Sequence, residues 1–240
     1  MGVKVLHLYH DLLNLYGEYG NVSALERYLK NQGVEVTVDK LSLYDEVDFA
    51  AYDFIYLGSG TEEKQLKALD DLKSNKSDIV SAYEKGTVIL ATGNSFEIFG
   101  NSITAPDGKK IDGLGILDID TAVTDKQRTL TDEVCSAEFI DRECVGFINK
   151  ASETVSREKP MFTVKLGAGN SKDSKSEGVI KGSFYGTHLT GPCLVKNPHL
   201  LEYFVSLLTE KCGFELKPVT LEYETRAYEI TLEALKNRMN

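Results

Sequence analysis

Over its first hundred residues the chain alternates short apolar runs with segments whose apolar residues recur at helical spacing. Few folds accept that alternation. Val3, Val5, Leu6 and Leu8 form an apolar run near the start. Asn21 reads as an N-cap, and Val22, Leu25, Tyr28 and Leu29 follow at helical spacing until Gly33. Val34, Val36 and Val38 alternate as a half-buried strand. Phe54-Ile55-Tyr56-Leu57 is a further apolar run, closed by Gly58-Ser59-Gly60. Leu66, Leu69 and Leu72 define the next helix, and Thr87-Val88-Ile89-Leu90-Ala91 the next strand. Strands separated by helices predict an α/β fold with a parallel sheet covered on both faces.

After residue 100 the texture changes. Pro106-Asp107-Gly108 is a turn, and residues 111–123, 144–148, 162–166 and 179–189 favour strand. The polar stretch 167–178 reads as a mobile surface loop without chemistry. Two helices close the chain. Asn197 and Pro198 open the first, with Leu201, Phe204, Val205 and Leu208 as its buried stripe. Leu221, Tyr228, Leu232 and Leu235 form the stripe of the second. With no internal repeat and no Pro- or Ser-rich linker, residues 1–240 are expected to form a single domain.

Charge and cysteine usage narrow the function. Asp and Glu outnumber Lys and Arg, 37 to 27, for a net charge of −10. The basic residues are scattered, which disfavours nucleic acid and anionic membranes alike. Cys135, Cys144, Cys193 and Cys212 show no C-x-x-C spacing and read as reduced thiols. His7, His10 and His199 lack metal-ligand spacing and read as structural or exposed, so no metal and no cofactor is expected. No apolar run approaches a membrane span, and the start lacks a signal peptide's apolar centre. The expectation is a soluble cytoplasmic protein.

In an open α/β sheet, ligands bind beyond the carboxyl ends of the strands. Three loops lie at such ends. Gly58-Ser59-Gly60-Thr61 can turn tightly and offer backbone N–H groups to an anion or oxyanion, or it can simply be a glycine turn. Ala91-Thr92-Gly93-Asn94-Ser95-Phe96-Glu97 leaves a strand and enters a helix, the geometry of a nucleophile elbow. Gly186-Thr187-His188-Leu189-Thr190-Gly191-Pro192 ends a late strand.

Four stretches, spread over nearly the whole chain, resemble class I glutamine amidotransferases of the cobyric acid synthase (CobB/CobQ) type. They are Leu13-Asn14-Leu15-Tyr16 with Gly20-Asn21; Gly58-Ser59-Gly60; Pro106-Asp107-Gly108 with Gly113-Leu114-Gly115-Ile116-Leu117-Asp118; and Gly186-Thr187-x-Leu189-x-Gly191-Pro192 with Lys196-Asn197. Within that family the likeness is greatest to the amidotransferase subunits of lipid II isoglutaminyl synthases. The resemblance implies a flavodoxin-like parallel sheet flanked by helices and a Mur-ligase-like synthetase as partner.

The same alignment removes the chemistry. The family's elbow reads Cys-Gly-Gly-x-Gln, and here those positions hold Gly93, Asn94, Ser95, Phe96 and Glu97. The family's catalytic histidine falls on Thr190, and its His-Gly-Gly on Lys150, Ala151 and Ser152. Glycine offers no nucleophile, and threonine no base near neutrality. The main expectation is therefore a non-catalytic subunit. One alternative is an active enzyme with a relocated site, built on Cys193 and His188 or on Ser95. Another is a stand-alone ligand-binding module using Gly58, Ser59, Gly60, Asn94 and Glu97.

Overall fold

The computed structural model describes residues 2–125 and 127–238. Strand β1 (Gly2–Leu8) is covered on both faces, Val3 and Val5 packing into one layer and Leu6 and Leu8 into the other. Helix α1 (Tyr19–Asn31) buries Val22, Leu25, Tyr28 and Leu29. It starts earlier than its sequence suggests. Asn21 is no cap but a buried residue of the first turn; its amide donates to Tyr56 Oη at 2.7 Å and accepts the Leu194 N–H at 2.8 Å. A buried amide takes the partners that satisfy it, and here these are tertiary.

Strands β2 (Glu35–Leu41) and β3 (Phe54–Leu57) flank β1. Helix α2 (Glu62–Ser74) is capped by Thr61 Oγ1, which accepts the Lys64 N–H at 3.3 Å. Helix α3 (Lys76–Glu84) leads into β4 (Val88–Thr92), buried throughout. Eight strands follow: β5 (Ser102–Thr104), β6 (Lys110–Asp112), β7 (Ile119–Val123), β8 (Thr129–Ala137), β9 (Ile140–Lys150), β10 (Ser152–Ser156), β11 (Phe162–Leu166) and β12 (Ser176–Glu177). They form two four-stranded sheets, ordered β10-β7-β5-β6 and β12-β11-β8-β9.

Strands β13 (Val179–Lys181) and β14 (Phe184–Thr187) return to the central sheet, whose order is β13-β14-β4-β3-β1-β2. Its pairs are parallel except β13 with β14. Helices α4 (Cys193–Lys196), α5 (Pro198–Cys212) and α6 (Glu222–Lys236) complete the chain. Helices α1 and α5 cover one face of the central sheet, and α2 and α3 the other. The parallel, helix-flanked sheet matches the sequence expectation, and its topological switch lies between β1 and β3.

Two local expectations change. Asn197 precedes α5, but its side chain accepts the Val145 N–H at 2.8 Å and donates to Val145 O and Cys193 O, stitching α5 to β9 instead of capping it. The stretch 167–178 is not a free surface loop. Asn170 is buried and brackets Gly178 through both its amide atoms, and Glu177 is wholly buried.

Candidate functional site: a filled elbow pocket

Strand β4 delivers the chain to Gly93, whose φ of +66° is left-handed, and residues Gly93–Phe99 wind into a 3-10 helix. The elbow backbone is thus present where the sequence places it. Glycine takes that conformation without strain. A side chain there has no room, since a Cβ at position 93 would lie 2.2 Å from Ser59 Cβ. Ser59 is held in place by its hydroxyl, which donates to Glu18. The buried Glu18 carboxylate also accepts the Tyr16 N–H at 2.8 Å and the Gly191 N–H at 3.4 Å.

The glycine loop is occupied too. Gly58 permits close packing, because a Cβ on it would lie 2.2 Å from Leu13 O. The Gly60 N–H, a potential oxyanion donor, donates to Asn94 Oδ1 at 3.1 Å, and Asn94 Nδ2 returns a bond to Gly60 O at 3.0 Å. Ser95 Oγ lies 2.9 Å from Thr92 O and 3.2 Å from Leu57 O, so its hydroxyl is turned to backbone carbonyls. Thr190 Oγ1 donates to Phe147 O at 3.0 Å.

Behind the elbow lies a buried polar network. Glu97 accepts from Gln65 Nε2 at 2.7 Å and from the Ser152 hydroxyl, and His188 Nε2 stands 3.2 Å from its Oε1. Glu177 holds the other side of this imidazole. Its carboxylate accepts the His188 N–H at 2.6 Å and the Thr187 hydroxyl at 2.8 Å. His188 Nδ1 lies 3.3 Å from Glu177 Oε1, but outside hydrogen-bond geometry. Phe96 packs edge-on to the imidazole, with 4.6 Å between ring centroids.

Lys150 is buried and donates to Gly169 O at 2.8 Å and Asn170 O at 2.7 Å; burial holds its ammonium below the usual lysine range. At the mouth, Arg128 donates to Asn149 Oδ1 at 2.7 Å and to Glu62 at 2.6 Å, while Asn149 donates to Tyr16 Oη. The cavity that Ser59, Asn94, Glu97, Arg128 and Lys150 leave has about 10 Å³, room for about one water.

Cys193 and His188 are not brought together. Cys193 is buried in the α1–α5 layer with Sγ 3.6 Å from Asn21 Oδ1, and burial pushes its thiol up to about 12. His188 packs on Phe96, in the opposite layer. Such a thiol supplies almost no thiolate at neutral pH.

The sequence reading missed Glu18, Gln65, Arg128 and Glu177. Glu18 lies between two stretches that carried the resemblance, and Glu177 is a lone acid just before an apolar strand; those are the only signals they give. Among the described residues, no group of three or more His, Cys, Asp or Glu side chains could hold a metal ion. Among them, too, no helix is long and apolar enough to cross a membrane.

Comparison with known proteins agrees with this architecture. The CobB/CobQ-like glutamine amidotransferase domain matches residues 4–198. The GatD subunit of the glutamine-hydrolysing lipid II isoglutaminyl synthase of Staphylococcus aureus is 29% identical over 233 residues, covering 96% of this chain and 95% of its own. The Streptococcus pneumoniae subunit of the same name is 31% identical, with 87% and 81% covered. Among solved structures, PurLQS from Thermotoga maritima matches with a TM-score of 0.55 and 17% identity, covering 88% of this chain and 100% of that one. At that identity the likeness concerns the fold alone.

Proposed function

The chain belongs to the CobB/CobQ-like glutamine amidotransferase family, and from that premise we propose that it is a non-catalytic subunit supporting a Mur-ligase-like, amide-forming synthetase in peptidoglycan synthesis. One observation carries the loss of glutamine hydrolysis. The elbow residue is Gly93, and the space a nucleophile would fill is taken by Ser59. No thioester can form without a thiol, and Thr190, donating to Phe147 O, cannot take up a proton from a nucleophile. A cavity of about 10 Å³ also leaves no volume for a glutamine side chain.

The role as a subunit rests on kinship with the GatD subunits and on the retained sheet. On this proposal the chain works in the cytoplasm, beside a synthetase that takes free ammonia. A relocated Cys193–His188 site has the opposed geometry of those two residues against it.

The test is a coupled assay of ammonia release from glutamine, with the chain alone and with a co-expressed synthetase. The expected rate equals the uncatalysed one in both cases. Turnover abolished by Cys193→Ser or His188→Ala would establish the relocated site instead. Capture of a synthetase from native lysate at micromolar concentration supports the subunit role, and a monomer that captures none removes its main support.

A further inference from the structure

A second cavity, of about 390 Å³, opens at the carboxyl end of β1, on the face covered by α1. It is lined by His7 on β1, His10 and Asn14 in the loop that follows, Tyr19 and Ser23 on α1, and Lys40 on β2. Its volume falls in the range of about 300–1,000 Å³ usual for small-molecule sites. It lies over the carboxyl ends of β1 and β2, where His7 and Lys40 are register partners, and open α/β sheets place ligands beyond such strand ends.

His7 makes this more than a surface hollow. Its ring is 1% exposed, and neither nitrogen has a hydrogen-bond partner. Tyr56 and His10 pack against it, with ring centroids 5.4 Å and 6.1 Å away, and neither supplies a bond. A buried imidazole without partners forfeits the hydrogen bonds it makes in water, and native proteins rarely leave one so. Burial, together with the charges of His10 and Lys40, holds His7 down to about 4, so it is neutral and keeps one donor and one acceptor.

The basic groups in the lining are Lys40 and the imidazoles of His7 and His10. Glu26, the acid in its lining, is paired with Lys30 at 2.6 Å. Asp11, next to His10, accepts from Ser42 Oγ at 2.6 Å. Among the described residues, neither Lys40 nor His10 forms an ion pair.

We propose that this cavity binds a small organic anion, a carboxylate or phosphate ester, with Lys40 and His10 facing its charge and His7 at its floor as the neutral hydrogen-bond partner. Residues 9–17 give the site a route to the filled pocket. That loop contributes His10 and Asn14 to this cavity and Tyr16 to the other, and the Leu15 N–H donates to Ser59 O at 3.0 Å. The proposal does not depend on the loss of glutamine hydrolysis.

The test uses the full chain labelled with ¹⁵N in its histidine rings, titrated with inorganic phosphate and, separately, with citrate. Saturable shifts of the His7 and His10 rings are expected. Response to phosphate alone assigns a phosphate ester, response to citrate alone a carboxylate, and either supports the site. Lys40→Gln, at an exposed position that leaves folding intact, should weaken binding at least tenfold. Arg128→Gln, which removes the cation at the mouth of the other pocket, should leave the titration unchanged. No saturable shift with either probe, an unchanged titration in Lys40→Gln, or loss of binding in Arg128→Gln overturns the proposal.

Discussion

Glu97 and His188 meet behind the elbow with 3.2 Å between Oε1 and Nε2, each side chain 1% exposed. The imidazole separates this carboxylate from a second buried one, Glu177. What the resemblance places beside a substrate amide is here an internal acid–imidazole–acid array. Its contacts are structural, since every acceptor of Glu97 faces a donor of the protein itself.

The array is expected to matter for stability. His188→Ala would leave two buried carboxylates without the group between them, at a cost of about 3 kcal/mol. Glu97→Gln restores the family's residue type but turns an amide N–H toward groups that already donate, costing about 1–3 kcal/mol. Urea unfolding should show lowered midpoints with unchanged slopes for both variants, and no ammonia release from Glu97→Gln.

Gly93 and Ser59 should be coupled. Gly93→Ala places a Cβ in left-handed backbone and against Ser59 Cβ, and about 2–4 kcal/mol of destabilisation is expected. In a Ser59→Gly background the severe clash with Ser59 Cβ is removed and only the backbone Cα of residue 59, 3.3 Å away, remains close, so the same substitution should cost clearly less. Equal costs in the two backgrounds, measured by a double-mutant cycle, would show that Ser59 does not fill the elbow. Gly93→Cys with Thr190→His is expected to recover little glutaminase activity for the same reason.

Glu133 gives stability a pH dependence. Burial, reinforced by Glu177, raises its carboxyl from 4.5 to about 9, so the folded chain keeps a proton that the unfolded chain releases. Its contribution is complete below about 4.5 and is lost as pH rises through about 9. Glu133→Gln, still able to accept the Ala168 N–H, should flatten the decline in unfolding midpoint over that window.

His199 acts in the opposite direction. Burial and the Arg142 charge lower it from 6.5 to about 4, so its contribution is present above 6.5 and is lost as pH falls through about 4. His199→Phe keeps a ring against Tyr228, whose centroid lies 4.8 Å away, and removes the titration. The variant should lose less stability than the parent between about pH 6.5 and 4.

The sequence alone determined the layered sheet and the identity of the residues at the elbow. Opposite-facing pairs such as Val3/Val5 and Leu6/Leu8 are a period-2 pattern that any buried parallel strand must show, and it is local. The absence of a thiol at Gly93 and of an imidazole at Thr190 is likewise read directly from the chain. Tertiary structure decided everything that depends on which side chains meet. Glu97 and His188 are 91 residues apart, and Ser59 meets the elbow only because β3 and β4 are neighbours in the sheet. Asn21 and Asn197 carry the local mark of helix caps, yet each is drawn into buried bonds with distant backbone. Glu177 looked like one more acid in a polar loop until β14 brought His188 beside it. Local periodicity reflects the need to bury one face. The partner of a buried polar group is chosen by the finished packing, which no window of neighbouring residues contains.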